Sequence, residues 1–134
     1  MTNVKVLVTT DGSNLSDKAI DTAVELVEQL HGELIGMTAV VGAPPAGGFE
    51  AEDAAVRDRL AIISRKAAEK GVPCEVVAEH ADAVWKGVLA CAVRHDVNFI
   101  VMASRGLGSI GSLLLGSETQ KVLHKADRPV LIVR

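Results

Sequence analysis

With 134 residues, 49% of them hydrophobic and 23% charged, the chain has the size and composition of one domain (residues 1–134), and it is too apolar to be disordered. Its formal net charge of -3, with no local Lys/Arg cluster, argues against a nucleic-acid surface. Aromatic residues make up only 2%, so the core has to be built from Val, Leu, Ile, Ala and Met. No run approaches the roughly 20 apolar residues of a membrane span. No basic, apolar and small-residue signal pattern is evident at Met1-Thr2-Asn3-Val4-Lys5. The expected location is therefore cytoplasmic.

Val4 to Thr9 is β-branched and apolar, as a central parallel strand should be. Thr10-Asp11-Gly12-Ser13-Asn14 is turn chemistry. Ser16 is the expected cap of a helix whose buried face is Ile20, Ala23, Val24, Val27 and Leu30, with Gly32 in the terminating position. Leu34 to Val41 reads as a second strand, and Gly42 to Gly48 as a loop. One amphipathic helix is expected from Phe49 to Lys70, with Phe49, Val56, Leu60, Ile63 and Ala67 buried and Gly71 ending it. A third strand spans Cys74 to Glu79, a helix Ala83 to His95, and a fourth strand Phe99 to Met102. A glycine-rich loop and a helix beginning near Ser117 lead to a last strand, Val130 to Val133.

Alternation of five strands with four helices predicts an α/β fold, a doubly wound open parallel sheet covered on both faces. In the order 3-2-1-4-5, strands one and four meet at the reversal. The loops after them, Thr10-Asp11-Gly12-Ser13 and Ala103 onward, then face one crevice, where ligands of such sheets bind. The second loop can aim backbone N–H groups at a phosphate.

Other constellations are weaker. Gly106-Leu107-Gly108-Ser109-Ile110-Gly111 fits GxGxxG but follows the fourth strand rather than the first. The GxxxxGK[ST] pattern fails, because Ser112 stands at the lysine position. Ser117 to Gln120 fits a capping box, with Ser117 as cap. Asp11 reads as a turn or cap aspartate, or as a carboxylate for a ribose or a metal. His31, His80, His95 and His124 have no metal-ligand spacing, and His80 alone falls near the crevice. Cys74 and Cys91 read as reduced, buried thiols. Trp85, the sole tryptophan, stands at a helix start. No nucleophile, base and orienting acid assemble, so little or no turnover is expected, a slow ATPase at most.

Over its whole length the sequence resembles the universal stress proteins, a Rossmann-like, adenine-nucleotide-binding fold. The resemblance runs from Val4–Ser13 to Pro129–Val133 and is most specific in the loop. There the nucleotide-binding branch carries glycine, two residues, glycine, nine residues, glycine, then Ser or Thr. Gly106, Gly116 and Ser117 match, and Asp11 matches the aspartate after the first strand. The implied site comprises Thr9, Thr10 and Asp11, then Ala39 beside the adenine. It continues through Met102, Ala103, Ser104, Arg105 and Gly106 to Gly116, Ser117, Glu118 and Thr119. Ser117 and Thr119 are the implied hydroxyl donors to phosphate.

The resemblance also implies a stress-linked regulatory role, ATP or AMP as ligand with Mg2+ as a bridging ion, and a homodimer paired through Val130, Leu131, Ile132 and Val133. Two positions depart from the pattern. Ala103 replaces the first glycine, which costs on the order of 1 kcal/mol if that residue needs φ > 0. Asp82-Ala83-Val84 replaces a Gly-x-Pro turn and adds a carboxylate near the crevice. These departures leave open a second reading, a nucleotide-free dimeric module that acts through protein partners.

Overall fold

The structure, a computed structural model, describes residues 3–105 and 115–134. The elements follow the alternating order: β1 (Lys5–Thr9), α1 (Asn14–Leu30), β2 (Glu33–Val41), a 3-10 turn (Gly48–Ala51), α2 (Ala54–Glu69), β3 (Cys74–Ala81), α3 (Val84–His95), β4 (Phe99–Ala103), α4 (Ser117–Lys125) and β5 (Val130–Val133). The five strands form one parallel sheet in the order β3-β2-β1-β4-β5. Val6, Leu7 and Val8 of β1 lie opposite Phe99, Ile100 and Val101 of β4, which fixes the reversal point.

Strand side chains alternate between two cores. On one face Val6, Val8, Leu34, Val101 and Ala103 pack against Ile20, Ala23 and Val27 of α1 and Leu60, Ile63 and Ala67 of α2. On the other Leu7, Ile35, Met37, Ile100 and Met102 meet Val88, Cys91 and Ala92 of α3 and Val122 of α4. At about 25 cal/mol per Å² of apolar surface, these burials are the main stabilising term. Close packing explains the position of Gly87. A Cβ there would stand 3.3 Å from Ala39 Cβ, so its absence lets α3 settle onto β2.

Several ends differ from the sequence expectations, each for a local reason. Ser13, not Ser16, caps α1: its Oγ accepts from Ser16 N at 3.1 Å. The chain turns left-handed at His31 (φ 53), one residue before the expected glycine. Gly32 is needed for another reason: a Cβ there would lie 2.2 Å from the Val4 carbonyl oxygen, beside the hydrogen bond from Glu33 N to that oxygen. Leu30 and Phe49 are exposed rather than buried.

The long helix expected from Phe49 is broken. Glu52 is extended (ψ 153), and α2 starts only at Ala54. The Glu52 side chain is buried, and its Oε2 accepts from His80 Nε2 at 2.6 Å. That bond holds Glu52 inward at the break between the 3-10 turn and α2.

Candidate functional site

A cavity of about 380 Å³ opens at the carboxyl ends of β1 and β4, within the size range of small-ligand pockets. Each wall comes from a different element. Thr9, Thr10 and Asp11 enter as β1 ends. Thr10 stays in register with the sheet through its N–H to Met37 O at 3.0 Å, and its carbonyl accepts from Thr38 Oγ1 at 2.7 Å. Thr38 also lines the cavity, beside Ala39.

Asp11 shapes the loop it sits on. Its Oδ1 accepts from Ser13 N at 2.9 Å and from Ser16 Oγ at 2.7 Å. The expected turn role is therefore present, with the residue still on the cavity wall. Gly12 follows with φ +86, a backbone that suits glycine, and donates its N–H to Thr10 Oγ1.

Met102, Ala103 and Arg105 form the β4 side of the wall. Ala103 belongs to β4 and pairs with Val133. The positive-φ residues other than glycine, among those described, are His31 and Asp96. Ala103 therefore carries no left-handed strain, and the penalty considered for an alanine there does not arise. Ser104 is buried next to the wall rather than on it. Its N–H donates to Val133 O at 2.7 Å and its carbonyl accepts from Gly116 N at 2.8 Å. That second bond ties the start of α4 to the end of β4.

Gly116, Ser117, Glu118 and Thr119 complete the wall. The expected capping box is absent. Gly116 is the cap residue and makes no side-chain cap bond, while Gln120 Nε2 donates to Leu115 O at 2.9 Å. Helix geometry leaves first-turn N–H groups without helical acceptors, so this end of α4 can receive an anion. The Thr119 hydroxyl donates to Ala103 O at 3.0 Å, so as placed it offers no hydrogen to a ligand. Gly106 and the Gly106–Gly111 pattern lie outside the described residues.

Three further lining residues were not among the sequence candidates: Thr38, Arg59 and Val84. Thr38 could have been found from its place beside Ala39. Val84 could have been found from the strand-to-helix turn. Nothing local marked Arg59, whose position depends on how α2 packs. Asp82 is exposed and off the wall, and Ala83 is extended (φ -150), so this turn needs neither glycine nor proline. His80 also lies off this wall and serves Glu52 instead. Among the described residues no cluster of three or more His, Cys, Asp or Glu is placed to hold a metal ion. No helix there is long and apolar enough to cross a membrane.

The universal stress protein family model matches residues 3–134. Universal stress protein YxiE of Bacillus subtilis is 34% identical, with 97% of this chain and 98% of that protein covered. A universal stress protein of Thermus aquaticus is also 34% identical, over 96% and 97%. A universal stress protein solved in complex with cAMP superposes with a TM-score of 0.78 at 26% identity, covering 100% of this chain and 98% of that one. One from Archaeoglobus fulgidus, solved with dAMP, shares the fold at 18% identity and a TM-score of 0.76, with 100% of both chains covered.

Proposed function

This chain belongs to the universal stress protein family, and we propose that it is a stress-linked regulatory protein that binds an adenine nucleotide in the cavity between β1 and β4. The observation that carries this reading is the composition of the wall. Ala39, Val84 and Met102 give an apolar surface for a base, close to a helix N-terminus suited to phosphate. Asp11 stands between the strand ends, where its carboxylate can accept from a ribose hydroxyl. Phosphate would be held by the N–H groups at the start of α4 and by the Ser117 hydroxyl. Thr119 would contribute its backbone, because its hydroxyl is committed to Ala103.

The relative solved with cAMP supports a ligand of the AMP class. ATP falls within the proposal, with Mg2+ arriving on its phosphates. The extended backbone of Ala103 removes the strain argument against a nucleotide, although its methyl still lines the cavity, and Asp82 stands off the wall. Binding with little or no turnover is the proposed role, because no nucleophile, base and orienting acid can be assembled from the described residues of the wall. The test is thermal melting with Mg-ATP, ADP, AMP and cAMP. Ligand at ~100 times Kd adds about 2.7 kcal/mol, a rise of several degrees for a domain of this size. An unchanged melting temperature with all four would sink the reading.

A further inference from the structure

We propose that Arg59 is a specificity-determining residue of this site, binding the phosphate and so favouring nucleotides over the parent nucleoside. The inference rests on the adenine-nucleotide reading above.

Arg59 reaches the cavity from α2, while the phosphate-suited end of α4 borders it too. Since α2 and α4 pack on opposite faces of the sheet, the two flank the strand ends from opposite sides. The Arg59 side chain is laid across the loop after β1. A Cβ on Gly12 would stand 3.0 Å from Arg59 Nε and 3.5 Å from its Cγ and Cδ. The absence of a side chain at Gly12 thus provides the track along which the arginine extends.

Its partners set it apart. Arg65 pairs with Glu69, Arg94 with Glu79 and Arg128 with Asp127. Arg57 donates to the Glu52 carbonyl. Among the described residues Arg59 makes no such bond, although it is half-buried. A partly desolvated guanidinium without a counterion gains most from an anion that supplies one. Its planar donor fork suits phosphate oxygens.

The proposal is tested by calorimetric titration of adenosine and AMP into the wild-type chain and into Arg59→Gln, Arg59→Lys and Arg65→Gln. Loss of a charge-assisted bond predicts AMP affinity roughly 10- to 100-fold lower in Arg59→Gln, with adenosine affinity within about twofold of wild type. Arg59→Lys should retain part of the AMP preference. Arg65→Gln, which removes the same net charge from α2 away from the cavity, should bind both ligands as wild type does. The apo melting temperature of each variant reports its folding. Equal losses for adenosine and AMP, or an unchanged AMP affinity, would overturn the role of Arg59 and leave the nucleotide reading intact. If the wild-type chain bound neither adenosine nor any adenine nucleotide, that reading would fail and take this proposal with it.

Discussion

Cys91 is fully buried against the second core, and Cys74 is half-buried at the start of β3. Burial first, and then the Glu79 carboxylate, push the Cys91 thiol from 9.0 up to about 12. Burial and then Glu75 push Cys74 up to about 11. Both therefore remain neutral thiols near physiological pH, and the thiolate is the reactive form. We expect iodoacetamide at pH 8 to label both cysteines far more slowly in the native protein than in urea-unfolded protein, as read by mass spectrometry. Comparable rates would contradict the assignment. The linkage has a definite sign. A folded pKa above the unfolded one gives a contribution that is complete below pH 9 and is lost as the pH rises through 11 and 12. The alkaline fall in melting temperature should accordingly be shallower in Cys91→Ala than in wild type.

At the scale of elements, the joint between the 3-10 turn and α2 depends on one side-chain pair. Glu52 and His80 are about nine-tenths buried and bonded at 2.6 Å, across 28 residues of sequence. Glu52→Ala leaves the buried imidazole without this partner and should lower stability by about 1–3 kcal/mol. Glu52→Gln keeps an acceptor oxygen and should lose less. Urea unfolding of the two variants checks this, and equal losses would refute it. The same pair shows why the break was not legible in the sequence. The apolar spacing of Val56, Leu60, Ile63 and Ala67 marks the buried face of α2 correctly. Nothing in that spacing reveals that a carboxylate just before it will turn inward to a distant histidine. Ser13 and Gly116 carry the same lesson. Each lies within a few residues of the expected cap, and the choice among neighbours goes with a turn bond from Ser13 to Asp11 in one case and a bond from Gly116 to Ser104 at the end of β4 in the other. Strand order was legible because alternating elements and right-handed crossovers leave few topologies. The parts of the cavity wall formed by Thr9 to Asp11, by Met102, Ala103 and Arg105, and by Gly116 to Thr119 were legible for that reason, since topology brings those strand and helix ends together. Arg59 was not, because its approach to Gly12 exists only once α2 has packed on the sheet.

For the molecule as a whole, the sheet has two edges, β3 and β5. β3 carries Glu75, Glu79 and His80, and Arg94 forks onto Glu79 with bonds of 3.0 and 2.6 Å. β5 reads Val-Leu-Ile-Val, with Leu131 43% exposed. An apolar, uncharged edge invites a further strand. We propose that two copies pair along β5. Sedimentation velocity should give a dimer for the wild-type chain and a monomer for Leu131→Lys, which puts a charge on that edge. A wild-type monomer at micromolar concentration would exclude the pairing.

Trp85 directly follows Val84 on α3, and Val84 lines the cavity. Its ring lies 5.6 Å from the Lys86 ammonium and 5.3 Å from that of Lys125, at the far end of α4. The indole is thus in contact with both helices whose first turns border the cavity. With one tryptophan and no tyrosine in the sequence, the intrinsic emission comes from a single fluorophore at this junction. The chain carries its own optical probe at the place where α3 and α4 meet, one residue from the cavity wall.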